Sequence, residues 1–330
     1  MSERGPVAGF SLSVPVLVAV LAAGPARAET PFGEWLAGLR QEALSLGIRS
    51  ATLDAALAGV APNPRVIELD RRQPEFTLTF RQYMERVVPD ARVEHGKRKF
   101  RENRELLEEI GRKYGVQPRF IVAFWAVESD FGRLSGGFPV IESLATLAHD
   151  GRRSAYFRKE LLNALAILDQ GHVDPKHMIG SWAGAMGQCQ FMPSSYLAYA
   201  VDYDGNGRKD LWNDKADVFA SAANYLARSG WRGDQTWGRP VRLPARFDAK
   251  LTGLEVRKPL GEWQRIGVRR ADGSDLPGGR PDLMASVVLA EGQDGPAFLV
   301  YGNYHSILRW NRSTFFAMAI GHLADRIGDG

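Results

Sequence analysis

With a single cysteine, Cys189, the 330-residue chain can form no intramolecular disulfide, so cysteine usage neither demands nor forbids an oxidising compartment. Charge of one sign is also scarce. Lys and Arg total 42 against 38 Asp and Glu, spread without long runs. A dedicated nucleic-acid binder concentrates its basic residues in one patch, so that class is set aside. The slight basic excess is compatible with an acidic polymer lying along a cleft. No G-x-S-x-G elbow is present, which removes the usual serine-hydrolase arrangement. The six histidines (His95, His149, His172, His177, His305 and His322) fall at no metal-ligand spacing. Repeats and low-complexity tracts are absent. What remains, 45% hydrophobic and 24% charged residues, is the composition of a globular protein with room for one large domain or two smaller ones.

The longest apolar run, Phe10 to Ala23, falls short of the ~20 residues a membrane span requires. Arg4 precedes it, and Ala26-Arg27-Ala28 follows Gly24-Pro25. That order is the pattern of a secretory signal peptide, with the mature chain starting near Glu29. An uncleaved anchor helix is the alternative. No cysteine stands just after the run, which leaves no site for lipid attachment at a new N-terminus. The expectation is a periplasmic protein, exported and not lipidated, with no membrane span and no partner subunit, that is, a monomer.

Helical periodicity dominates the rest. Trp35, Leu36, Leu39, Ala43, Leu44 and Leu46 mark a helical region from Phe32 to about Gly59, broken by Pro62 and Pro64. Helices are expected near Thr79–Val87, Glu94–Tyr114 (stopped by Gly115), from Pro118 through Val127, and over Arg153–Asp169, Ser194–Ala200, Ala216–Ser229 and Ser313–Arg326. Between Trp237 and Tyr301 the chain turns Gly- and Pro-rich. There the runs Pro240–Leu243, Gln264–Val268, Ala285–Leu289 and Phe298–Tyr301 read as strands, with Asp272-Gly273 as a turn. The fold class is therefore mainly α (α+β), with a small antiparallel β-rich insertion.

Two segments carry chemistry. In Phe124–Arg133 (FWAVESDFGR), Glu128 follows an apolar helical run that Gly132 closes. The negative end of the helix dipole and apolar neighbours both disfavour its charged form. A raised carboxyl pKa is what a general acid needs near neutral pH. The plainer alternative is a solvated glutamate at a frayed helix end. The second segment, Ser181–Tyr196 (SWAGAMGQCQFMPSSY), packs small residues, amides and aromatics together. Small residues admit a ligand close to the backbone, Gln188 and Gln190 offer donors and acceptors, and aromatics suit sugar faces. It also reads simply as a Gly-rich turn before a helix opened by Pro193.

Together these segments resemble the lytic murein transglycosylase B family, as do Ala223-Asn224-Tyr225-Leu226 before Gly230-Trp231 and the closing group Asn303, Trp310, Asn311 and Ser313. The resemblance runs from about Phe32 to Arg326. It implies a lysozyme-like catalytic core over 116–236, an additional helical region at 29–115 and a small β-rich subdomain at 237–301. A C-terminal helix within 302–330 would complete the core, after a signal peptide at 1–28. It implies cleavage of the β-1,4 bond between N-acetylmuramic acid and N-acetylglucosamine in peptidoglycan glycan strands. Glu128 would be the single catalytic residue, the substrate's own N-acetyl group would assist, and a 1,6-anhydro end would result. No cofactor is needed for that chemistry. Ser181, Gln190, Phe191, Asn303 and Trp310 match substrate-lining positions. Trp310 replaces a frequent Tyr, and Cys189 a frequent small residue. A lysozyme-type hydrolase and a non-catalytic peptidoglycan-binding protein are the competing readings.

A third segment, Asp202–Asp210 (DYDGNGRKD), has oxygen side chains at positions 1, 3 and 5 and Gly at 6, the opening of a calcium loop. Position 12 is Asn213 rather than Glu. In a longer loop Asp202, Asp204, Asn206, the Arg208 carbonyl and Asp217 would hold a structural Ca2+. Otherwise the segment is an Asp/Asn/Gly turn, with Asp214 or Asp217 capping the next helix.

Overall fold

The computed structural model describes residues 30–72, 78–292 and 295–328. The expected signal peptide lies outside the described residues. The helical region begun at Phe32 forms two helices, α1 (Phe32–Ser45) and α2 (Ser50–Leu57), which turn Leu39, Ala43, Leu53 and Ala56 into the core. Pro62 and Pro64 end that region, but Pro64 also opens α3 (Pro64–Arg71), where its missing N–H costs nothing and Asn63 caps Arg65 N. A capping box starts α4 (Phe80–Val87): Thr79 Oγ accepts from Gln82 N while Gln82 Oε1 accepts from Thr79 N. The single helix expected over Glu94–Tyr114 is in fact α5 (Asp90–Glu102) and α6 (Arg104–Tyr114). Asn103 divides them, its side chain donating to Lys99 O at 2.8 Å and offering the backbone a local alternative to the helix.

Pro118 opens α7 (Pro118–Ser129) as expected, and every residue from Phe120 to Ala126 is buried. A helix apolar on all sides belongs at the centre of a fold. After it, α8 (Val140–His149), α9 (Ser154–Asp169) and α10 (Pro193–Tyr199) pack on one another, α11 (Lys215–Arg228) joins α5 and α6 against α7, and a two-stranded ribbon pairs β1 (Phe138–Pro139) with β2 (Ile179–Gly180). A five-stranded antiparallel sheet follows, built from β3 (Gly238–Arg242), β4 (Lys258–Pro259), β5 (Arg269–Arg270), β6 (Met284–Leu289) and β7 (Ala297–Val300) in the order β4-β6-β7-β3-β5. The run Gln264–Val268, read as a strand, largely belongs instead to α12 (Leu260–Ile266). Leu260 and Trp263, three residues apart, are both buried, and Trp263 Nε1 donates to Ala285 O. That helical spacing, not alternation, governs the segment. The C-terminal part holds two helices where one was expected, α13 (Gly302–Trp310) and α14 (Thr314–Gly328).

The sheet is covered on both faces. Val287 and Leu299 face a small core with Trp263, Val268 and Tyr301, while Val288, Phe298 and Val300 join the large helical core. Both sets come from paired strands, Val287 opposite Leu299 and Val288 opposite Phe298. Continuous apolar runs in β6 and β7 are the result. The sheet also holds α4, since Phe80 N donates to Glu291 Oε2 and the Phe80 ring meets Phe298 and Phe315.

Candidate active site

Glu128 lies at the C-terminal end of α7, half-buried, just before an unusual turn. Asp130, Phe131 and Gly132 all have left-handed backbones, with φ of 50°, 62° and 84°. Two of the three carry side chains, a costly arrangement that persists only where its surroundings fix it. Here Asp130 N bonds Ala126 O, Phe131 N bonds Trp125 O, and Ser129 Oγ accepts from Gly132 N. The Asp130 carboxylate is taken up by Arg133 at 2.6 Å and, more loosely, by Arg92 at 3.7 Å. It stands as an ion-paired part of the turn.

One oxygen of Glu128 is spoken for. Trp310 Nε1, from the end of α13, donates to Glu128 Oε1 at 2.7 Å. The indole is boxed by Phe124, Phe191 and Tyr225, with ring centroids 4.4, 5.1 and 4.7 Å away. Burial pushes the Glu128 carboxyl up to about 8, against the lowering effect of the Trp310 hydrogen bond. At neutral pH the side chain is mainly the protonated acid. Burial and then the Glu128 charge push the Cys189 thiol far up, so it stays neutral. On α4, burial and the nearby Glu128 charge raise Tyr83 as well. Tyr225 lies in the Ala223–Leu226 motif and is brought against Trp310, whereas Tyr83 was not singled out in the sequence: it sits in an ordinary amphipathic helix, and only the fold brings it near Glu128.

The Ser181–Phe191 segment doubles back on itself, with Met186 bridging both Gly180 and Phe191. Ser181 Oγ accepts from Ala183 N and Ala185 N, and Gln190 Nε2 donates to Ser135 O and Gly187 O. Both side chains remain partly exposed, whereas Phe191 is 2% exposed and backs the Trp310 ring. Asn303 is not brought to the cleft surface. It is fully buried, donates to Arg232 O and Gln235 O, and accepts from Arg232 N, so its hydrogen bonds pin the 232–235 loop.

The loop before β1 crosses the backbone of β2 closely. A Cβ on Gly136, whose φ is 105°, would sit 2.0 Å from Gly180 O. Neighbouring Gly137 has nothing within 4 Å of its Cβ position. Gly136→Ala is therefore expected to destabilise by roughly 1–3 kcal/mol or more, and Gly137→Ala to change little, in paired thermal melts.

In the acidic loop, oxygens of Asp202, Asp204 and Asp217 lie within 4.8 Å of one another. Asp217, fully buried, accepts from Tyr203 N and Asp210 N, while burial and the charges of Asp214 and Asp204 push it up to about 6. Asn206 Oδ1 accepts from Arg208 N beside them. Asp214, rather than Asp217, caps α11 by accepting from Ala216 N and Asp217 N. These carboxylate oxygens, which also accept backbone N–H groups, are the hard donors that a cation of the Ca2+ class takes.

A family model described as the Transglycosylase SLT domain matches residues 31–325. The chain belongs to this family. A curated relative, the membrane-bound lytic murein transglycosylase B of Escherichia coli (strain K12), is 33% identical over 258 residues, which is 74% of this chain and 66% of that protein. The chain thus spans just under two thirds of that relative's length. SltB3 from Pseudomonas aeruginosa, solved with NAG-anhNAM-pentapeptide, is similar at 47% identity and a TM-score of 0.88, covering 91% of this chain and 80% of that one. SltB1 from the same organism matches at 29% identity and a TM-score of 0.78, over 89% of this chain and 98% of its own. Escherichia coli Slt35 in complex with calcium matches at 28% identity and a TM-score of 0.75, over 90% and 93%. The family member described here thus has the lysozyme-like fold of the lytic transglycosylase structures.

Proposed function

We propose that the chain is a lytic murein transglycosylase that cleaves the β-1,4 bond between N-acetylmuramic acid and N-acetylglucosamine in peptidoglycan. The observation that carries this is Glu128 itself: an acid protonated at neutral pH, with one oxygen held by Trp310 and its neighbour Asp130 ion-paired to arginines. One free acid suits a substrate-assisted route. Glu128 gives its proton to the leaving glycosidic oxygen as the C1–O bond breaks, and the substrate's N-acetyl oxygen stabilises the cationic C1. The resulting carboxylate then takes the proton of the muramic C6 hydroxyl, whose oxygen bonds to C1. The glutamate is restored and a 1,6-anhydro end is formed without water. Ser181 and Gln190 line the cleft, and the Trp310 and Tyr225 rings border the sugar path.

The SltB3 complex with an anhydro-muramoyl fragment supports the product assignment. Mass analysis of fragments released from purified sacculi tests it. Anhydro ends are expected, whereas ends heavier by one water mean a lysozyme-type hydrolase, and no release means a binding protein. We place the enzyme in the periplasm as a monomer, exported by residues 1–28. Among the described residues no helix is long and apolar enough to cross a membrane.

The Asp202, Asp204 and Asp217 carboxylates, with Asn206 and the Arg208 carbonyl, would hold a structural Ca2+, and the calcium complex of Slt35 supports that reading. A ligand bound only by the folded state adds about 2.7 kcal/mol at a hundredfold excess over its Kd. Millimolar calcium is expected to raise the melting temperature of metal-stripped protein. The rise should vanish in Asp202→Ala. If stripped wild type shows no rise, the loop is a turn.

A further inference from the structure

One polar side chain near Glu128 belongs to neither the substrate path nor the acidic loop, yet it joins the two. Gln188 is 9% exposed. Its Oε1 accepts from Trp125 Nε1 at 2.7 Å, and its Nε2 donates to Trp212 O at 2.7 Å. Its backbone N–H donates to Leu211 O. The amide also presses on the left-handed turn after Glu128, for a Cβ on Gly132 would sit 2.3 Å from Oε1. Trp125 lies one helical turn before Glu128 and meets Phe131 edge-on, with centroids 5.5 Å apart. On the far side, Trp212 Nε1 donates to Ile179 O, two residues before Ser181, and Trp212 N donates to Asp210 Oδ1.

An indole N–H can only donate and a peptide carbonyl can only accept. The group between them must therefore accept on one side and donate on the other, in a buried space the size of a glutamine side chain. An amide meets that demand; a carboxylate or an apolar chain of equal length does not. We propose that Gln188 is a positioning residue for Glu128, its amide fastening the end of α7 and the Asp130–Gly132 turn to the Leu211–Trp212 segment. It acts through Trp125 and the turn without touching substrate. The inference rests on Glu128 being the catalytic acid.

Gln188→Met keeps the length and loses both hydrogen bonds. Gln188→Glu keeps the shape and the acceptor toward Trp125 but, when ionised, loses the donor toward Trp212. In both the circular dichroism should stay that of the wild type. For Gln188→Met, kcat for release of anhydro fragments should fall about 10–100-fold with KM within about twofold, the signature of a displaced reacting group. Gln188→Glu should fall less. The alkaline limb of the kcat–pH profile should move to lower pH in Gln188→Met, because a loosened turn lets water reach Glu128 and eases its ionisation. Trp125→Phe and the double variant complete a cycle, in which coupled losses, smaller together than their sum in free energy, are expected.

A folded Gln188→Met with wild-type kcat and an unmoved pH limb overturns the proposal. So does additivity in the cycle. If Gln188→Met fails to fold, Gln188→Glu decides on the same readouts. Wild-type protein that releases no anhydro fragment overturns the transglycosylase assignment instead, so the two failures are distinct.

Discussion

Glu128→Gln is expected to fold as the wild type does and to release almost no anhydro muropeptide from purified sacculi. Glutamine matches glutamate in shape and still accepts from Trp310 Nε1 through its carbonyl oxygen, so the 2.7 Å contact and the aromatic box can persist. What disappears is the proton that, in the proposed route, is delivered to the leaving oxygen and recovered from the C6 hydroxyl. Loss of one general acid or base commonly costs about 10²–10⁴-fold. In the proposed route the same group serves both steps, so the high end or beyond is expected. Stability should respond with a definite sign. The carboxyl is raised from 4.5 to about 8 in the fold, so the folded state holds a proton that the unfolded chain has released. Its stabilising contribution is full below about pH 4.5 and lost as pH rises through about 8. The Gln variant lacks this slope and should gain on the wild type in melts compared at pH 5 and pH 8. A folded variant with wild-type release would remove Glu128 from the mechanism.

Trp310→Phe is the second large effect, and it should move the pH profile the opposite way from Gln188→Met. Phe keeps most of the contact with Phe124, Phe191 and Tyr225 but has no N–H to give Glu128 Oε1. The indole bond is the influence that lowers the carboxyl against burial, so removing it raises the pKa further. The acid then parts with its proton less readily. Losing a preorganised donor at a reacting charge costs about 10²–10³-fold in known sites, and a kcat loss toward the lower bound is expected. The alkaline limb of the kcat–pH profile should shift upward. An unshifted limb would mean that the indole bears on the substrate rather than on the acid.

The residues that were legible in the sequence were those whose role is written locally. Glu128 closes an apolar helical run, and Pro118 and Gly115 mark helix ends where the structure has them. Segments 285–289 and 298–301 read as strands because sheet faces on two cores make their apolar runs continuous. Where two local patterns compete, the reading failed. Gln264–Val268 has strand-like composition, but Leu260 and Trp263 bury on a helical spacing that the window missed. Asn103 breaks a helix by a side-chain bond to Lys99 O, which periodicity cannot register. Within the site the distinction is sharper. Trp310 was picked out by the resemblance alone, and its bond to Glu128 joins positions 182 apart and depends on the placing of α13, a helix that was not anticipated. Asn303 carries the right residue type for a sugar contact, yet its burial against the 232–235 loop follows only from the fold. Tyr83 reaches the site because Glu291 and Phe298 of the β region hold α4 in place.

The bond between Trp310 and Glu128 also sets a time at which the enzyme can first exist. Contacts between distant positions form late, since a long loop must close before they give anything back. A growing chain that has passed residue 128 has made the acid but not its indole donor. The α14 helix that packs along α7 is later still, ending at Gly328. Every partial chain short of these residues carries a glutamate without its proper surroundings. On the proposed function, a product truncated before α13 would carry Glu128 without its indole donor and is expected to release no anhydro fragment from sacculi.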